Sequence, residues 1–116
     1  MLIFVYGTLK RNHKRSCFLD GQNFIQEIKT NPVYCLYDAG GFPAMISGNL
    51  SVAGELWEVD NRCLNRLNKI EKVPYYYNLE KINIKYHKNV FAYIWQLDVE
   101  NMLLVGSNWE LNQLEN

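Results

Sequence analysis

Apolar residues recur at helical spacing in one stretch of this chain, Leu64, Leu67 and Ile70. Asp60 is placed to cap its start, and Pro74 disfavours helix at Val73, so the helix is bounded at both ends. Elsewhere the apolar residues fall in short runs: Leu2 to Val5, Phe24 to Lys29, Val33 to Tyr37, Ala44 to Ile46, Val52 to Val59, Leu79 to Tyr86 and Val90 to Leu97. Their length and their β-branched and aromatic content predict strands. Ile82, Ile84 and Tyr86 alternate with Lys81, Asn83 and Lys85, and His87-Lys88-Asn89 then leads into Val90, the pattern of a hairpin. Asp38-Ala39-Gly40-Gly41 is a turn, and Asn12 to Leu19 has room for a second short helix. About six short strands with one or two short helices predict an α+β domain with a curled, mixed or antiparallel sheet. A doubly wound parallel sheet needs more helices.

A chain of 116 residues, 48% hydrophobic and 14% aromatic, has the size and apolar content to close one core and not two, so residues 1–116 are read as one domain. Twelve basic residues against twelve acidic ones leave no cationic excess for a run of phosphates, which argues against a nucleic-acid partner. The local cluster Lys10, Arg11, His13, Lys14 and Arg15 reads as a solvated loop face, with a small anion as the other use for it. The longest apolar run, Val90 to Trp95, is far short of the roughly 20 residues that cross a bilayer. The expectation is a cytoplasmic monomer without a membrane partner. Cys17, Cys35 and Cys63 are odd in number and lack a Cys-x-x-Cys pair, so reduced, buried thiols are expected. His13 and His87 are solitary, and neither metal nor cofactor is expected.

Two places have chemistry to offer. At Tyr6-Gly7-Thr8-Leu9 a strand end meets a glycine, where successive N–H groups can form a concavity for a carboxylate or an oxyanion. The plainer reading is a glycine that serves a turn. Glu71 lies four residues after Leu67 and seven after Leu64, which aims its carboxyl at the apolar face of the helix. Burial there, and the negative end of the helix, would both raise its pKa and suit it to proton exchange near neutral pH. The other possibility is a frayed helix end with Glu71 in water. Tyr75, Tyr76 and Tyr77 read as core and rim packing, with one hydroxyl available to a cleft. Glu55 and Glu58 flank Trp57 on opposite faces of a strand, a weak basis for glycosidase chemistry.

Five segments in order resemble the γ-glutamylcyclotransferase-like superfamily: Phe4 to Lys10, Gly41 to Ile46, Val52 to Val59, Leu64 to Leu67 with Ile70 to Pro74 and Tyr77, and Ala92 to Trp95. Gly106-Ser107-Asn108-Trp109 is similar to the closing segment of that superfamily, and Tyr6-Gly7-Thr8-Leu9-Lys10-Arg11 is most similar to its γ-glutamylamine cyclotransferase branch. Asn65 and Leu79 depart from the pattern, where aspartate and arginine are more usual. The resemblance implies a small mixed or antiparallel β-barrel flanked by short helices. It further implies that Tyr6, Gly7, Thr8, Leu9 and Tyr77 bind a γ-glutamyl or 5-oxoproline group, that Glu71 is the catalytic acid and base, and that no cofactor takes part. The substrate would be a γ-glutamyl amine or γ-glutamyl amino acid. Two alternatives remain at this point: a non-catalytic domain that binds a small carboxylate, and a protein-interaction domain using aromatics such as Trp57, Trp95 or Trp109.

Overall fold

A computed structural model describes residues 1–110; the end of the 1–116 domain reading lies outside the described residues. The element order is β1 (Leu2–Val5), a short 3-10 turn (Ser16–Leu19), β2 (Asn23–Lys29), β3 (Tyr34–Asp38), β4 (Pro43–Ser47), β5 (Ala53–Glu58), α1 (Asn61–Ile70), β6 (Tyr77–Lys81), β7 (Val90–Trp95) and β8 (Leu103–Gly106). The strands form two sheets among the described residues, one of five strands in the order β2-β5-β1-β7-β6 and one of three in the order β4-β3-β8. Among the described residues no ladder closes them into the barrel that the resemblance implies. The β1–β7 pair is parallel and the other ladders are antiparallel, so the larger sheet is mixed.

Period-two alternation gives β1 two buried faces. Phe4 packs with Tyr6, Leu36, Met45, Leu56 and Trp109 on one side, between the two sheets. Ile3 and Val5 pack with Leu19, Val59, Cys63 and Leu67 on the other, beneath the helix. Gly54 on β5 makes this approach possible, because a Cβ there would overlap the Val5 carbonyl oxygen and lie 2.6 Å from Phe4 Cζ.

The helix begins where the sequence places it. Asp60 is extended, and its Oδ1 accepts a hydrogen bond from the Cys63 N–H at 2.8 Å. Its end has a cap not readable in the sequence: the Val73 N–H donates to Asn68 O at 3.0 Å and the Lys72 N–H to Lys69 O at 3.2 Å. That is a Schellman arrangement, in which the residue after the cap is left-handed and usually glycine. Here Lys72 takes that position with φ 53°.

Three expectations need correcting, and one strand has no counterpart among them. The alternation from Leu79 to Tyr86 buries Ile82 and Ile84, yet the β6 ladder stops at Lys81 and Tyr86 is 89% exposed. Left-handed backbone at Tyr86 and Asn89 reverses the chain early, which takes Tyr86 off the face it was expected to share. The exposed β8 strand went unread because Leu103 and Leu104 point no alternating pattern at a core. Cys35 and Cys63 are buried as expected, but Cys17 is exposed. The basic cluster is not a uniformly solvated face: Lys10 is buried, and its Nζ donates to the Trp109 carbonyl at 2.7 Å and to Asn108 Oδ1 at 3.3 Å. Among the described residues no helix is long and apolar enough to cross a membrane.

Candidate active site

The chain leaves β1 through Tyr6-Gly7-Thr8-Leu9, and this turn forms one wall of a cleft of about 30 Å³. Phe42 and Pro43 face it, while Tyr77, Tyr93 and Glu71 complete the lining. Tyr6, Gly7, Thr8, Leu9, Tyr77 and Glu71, separated by up to 71 positions in the sequence, are thus brought together. Glu55 and Glu58 are not part of it. Glu55 is buried among Arg11 and Trp57, accepting from the Arg11 N–H, Arg11 Nε and Trp57 Nε1, while Glu58 is exposed beside the N-terminal ammonium group.

Gly7 is needed for its neighbour rather than for a left-handed backbone. A Cβ on Gly7 would overlap Pro43 Cγ and lie 2.8 Å from Cδ, so only glycine lets the turn close against that ring. Pro43 is delivered by the preceding turn, in which Asp38 Oδ1 accepts from the N–H groups of Gly40 and Gly41 at 3.0 and 2.8 Å. Both glycines have positive φ, 84° and 96°. Within the site turn, the Lys10 N–H donates to Gly7 O and the Arg15 N–H to Thr8 O. The N–H groups of Gly7, Thr8 and Leu9 have no acceptor among the described residues, although Thr8 and Leu9 are both buried. Unpaired consecutive donors beside a cleft are the makings of an anion-binding concavity.

Opposite these donors, Glu71 caps the C-terminal end of α1, with its own N–H bonded to Leu67 O at 2.9 Å. Its carboxyl is largely shielded and makes no hydrogen bond or ion pair among the described residues. Burial is the main cause that pushes its pKa up to about 7, and the Arg15 cation pulls in the other direction. The apolar aim expected from Leu64 and Leu67 is therefore observed, whereas the opposing Arg15 was not foreseen.

Three tyrosines hold the frame around this carboxyl. The Tyr6 hydroxyl donates to the Tyr93 carbonyl, Tyr77 donates to the Pro43 carbonyl at 2.6 Å, and Tyr93 donates to Asn68 Oδ1 at 2.7 Å. Burial first, and then the Glu71 charge, raise the pKa values of Tyr77 and Tyr93, so both stay protonated donors. Tyr6 is raised too, by burial first and then by Tyr77 and Glu71. Tyr76 and Tyr75 lie outside the cleft and are exposed. Tyr93, Phe42 and Pro43 were missed as lining residues. They stand in segments that the sequence singles out, but only the fold shows which side chains turn inward.

A turn with free donors thus faces a shielded carboxyl at a helix end, on a mixed α+β frame. The chain matches the model of the family described as gamma-glutamyl cyclotransferase, AIG2-like, over residues 3–111, and it belongs to that family. It is 31% identical to the gamma-glutamylcyclotransferase family protein ytfP of Citrobacter rodentium, over 94% of this chain and 95% of that one. Among solved structures it is similar to an uncharacterized protein of Pyrococcus horikoshii, at TM-score 0.82 and 27% identity over 99% of this chain and 94% of the other. An AIG2-like protein of Mus musculus superposes at TM-score 0.70, again at 27% identity, over 80% of this chain and 75% of its own.

Proposed function

We propose that the protein cyclises a γ-glutamyl amine or γ-glutamyl amino acid to 5-oxoproline, releasing the amine, with Glu71 as general acid and base. The observation that carries this reading is the pairing of Glu71, whose pKa is about 7, with the free N–H groups of Gly7, Thr8 and Leu9 across one cleft. The γ-glutamyl group contains its own nucleophile. Glu71 takes a proton from the α-ammonium group, and the freed amine attacks the γ-carbonyl carbon. The new C–N bond closes a five-membered ring, and the carbonyl electrons move to oxygen, where the N–H groups of the turn receive the charge. As the oxyanion collapses, the original amide C–N bond breaks. Glu71 returns a proton to the departing nitrogen, which leaves as the amine, and the carboxylate so regenerated takes the second proton of the ring nitrogen to leave the neutral lactam; that proton passes on to the released amine.

Holding the folded conformer in a narrow cleft supplies the other part of catalysis, since a ring closure that starts from the right geometry avoids most of its entropic cost. Tyr77 and Tyr93, kept protonated, line the same space and offer no competing base. Each step uses groups of the chain and of the substrate alone.

The test is a panel of γ-glutamyl amines, γ-glutamyl dipeptides and glutathione, with 5-oxoproline as the readout. The parent should form 5-oxoproline from at least one member, and Glu71→Gln should reduce turnover by about 10²- to 10⁴-fold with little change in KM, because the lost interaction belongs to the transition state. Unchanged turnover in a folded Glu71→Gln protein would remove Glu71 from the mechanism. Binding of 5-oxoproline without turnover of any substrate would instead leave a domain that holds a small carboxylate.

A further inference from the structure

A second cavity, of about 370 Å³, adjoins the first and shares with it Phe42, Glu71 and Tyr77. Its volume is at the lower end of the range for sites that enclose a small molecule, about 300 to 1,000 Å³. Glu71 stands at the junction, where the scissile amide of the proposed reaction would lie. What lies beyond Glu71 therefore meets the leaving group.

The walls of this cavity are aromatic. Trp95 is stacked on Tyr76, with ring centres 6.1 Å apart, and edge-on to Tyr77, with ring centres 5.1 Å apart. Two cations stand among these rings: the Arg15 guanidinium carbon is 4.4 Å from the centre of Phe42, and Lys72 Nζ is 5.4 Å from the centre of Tyr76. Neither cation forms an ion pair among the described residues, although Arg15 is close enough to Glu71 to lower its pKa. Lys72 also occupies the left-handed position of the helix cap, which favours glycine, and presents a long cationic side chain there.

We infer that this cavity receives the leaving group, and that the leaving group is an aromatic or large apolar α-amino acid whose carboxylate lies against Arg15 and Lys72. The inference rests on the cyclotransferase reading above and narrows its substrate to γ-glutamyl amino acids of that kind. The bond that breaks joins the γ-carbonyl carbon to the α-nitrogen of the amino acid. Its side chain then lies on Tyr76 and Trp95, where stacking is favourable, and its carboxylate meets positive charge. A diamine or polyamine leaving group would bring a second ammonium group toward the same two cations, which like charge opposes.

The experiment compares kcat/KM for γ-glutamyl-phenylalanine, γ-glutamyl-phenethylamine, γ-glutamyl-glycine and a γ-glutamyl diamine. γ-Glutamyl-phenylalanine should exceed each of the other three by at least about tenfold, mainly through KM. Lys72→Gly with Arg15→Gln should shrink its advantage over γ-glutamyl-phenethylamine by about tenfold, and Tyr76→Ala, at an exposed residue, should shrink its advantage over γ-glutamyl-glycine. Equal turnover of all four, or preference for the diamine, overturns this inference and leaves the cyclotransferase reading in place. Absence of 5-oxoproline from all four compounds overturns this inference, and absence from glutathione and the rest of the wider panel as well overturns the cyclotransferase reading too.

Discussion

In the proposed reaction, Glu71 ties stability and catalysis to one proton. Its ordinary value is 4.5 and its folded value about 7, so between those pH values the folded state holds a proton that the unfolded chain releases. Stability is then full below pH 4.5, falls as the pH rises through 7, and levels off above it, by about 3 kcal/mol in all. Glu71→Gln carries no such proton. In urea unfolding at pH 8 the variant should therefore be more stable than the parent, with the difference closing toward pH 4. The same carboxyl must be ionised to accept the substrate proton, so kcat/KM of the parent should rise through an apparent pKa near 7. A parent whose urea midpoint is flat from pH 4 to 8 would place Glu71 in water. Gly7 makes a different kind of demand. Gly7→Ala puts a methyl group into the Pro43 ring, and should cost about 1 to 3 kcal/mol by overpacking and lower turnover, because either the turn or the proline has to move. A normal urea midpoint together with normal turnover would show that the turn closes less tightly.

The helix shows what could be read from sequence and what could not. Its apolar spacing, its Asp60 cap and the inward aim of Glu71 all follow from local pattern, because each depends on residues within a few positions of one another. The C-terminal cap does not, since a lysine in a left-handed conformation carries none of the signal that glycine would. Lys72→Gly should raise stability by about 1 kcal/mol, read as a shift in urea midpoint; no gain would mean that the lysine side chain recovers the backbone cost through its contacts. Longer-range placements were equally silent. Nothing in Phe42-Pro43 says that a separate sheet will carry them to the β1 turn, and nothing in Arg15 says that it will face a carboxylate 56 positions away. The turn itself was legible as Tyr6-Gly7-Thr8-Leu9, but nothing in those four residues says that the glycine abuts a proline ring in the wall of the cleft.

At the scale of the molecule, the segment that follows β8 reaches into the core at Trp109. Trp109 is 1% exposed, packs in the cluster between the sheets, and is tied by its carbonyl to the buried Lys10 just beyond the site turn. Trp109→Ala should therefore cost about 3 to 5 kcal/mol, measured by urea or thermal unfolding, and a loss below about 1 kcal/mol would place the indole outside the core. The cleft lies at the seam of the two sheets, with β1 of the larger sheet on one side and the start of β4 in the smaller on the other. A void of about 30 Å³ has room for about one water molecule, much less than a glutamyl group requires. Because β1 is sealed on both faces, the side expected to yield is the Phe42–Pro43 side, which the Tyr77 hydroxyl fastens across the gap. The two walls should then keep different clocks. In hydrogen–deuterium exchange, the amides of Ile3 to Val5 should open only with the whole molecule, while those beside Pro43 should open sooner and more often, which would make the smaller sheet the one that sets how fast a substrate enters.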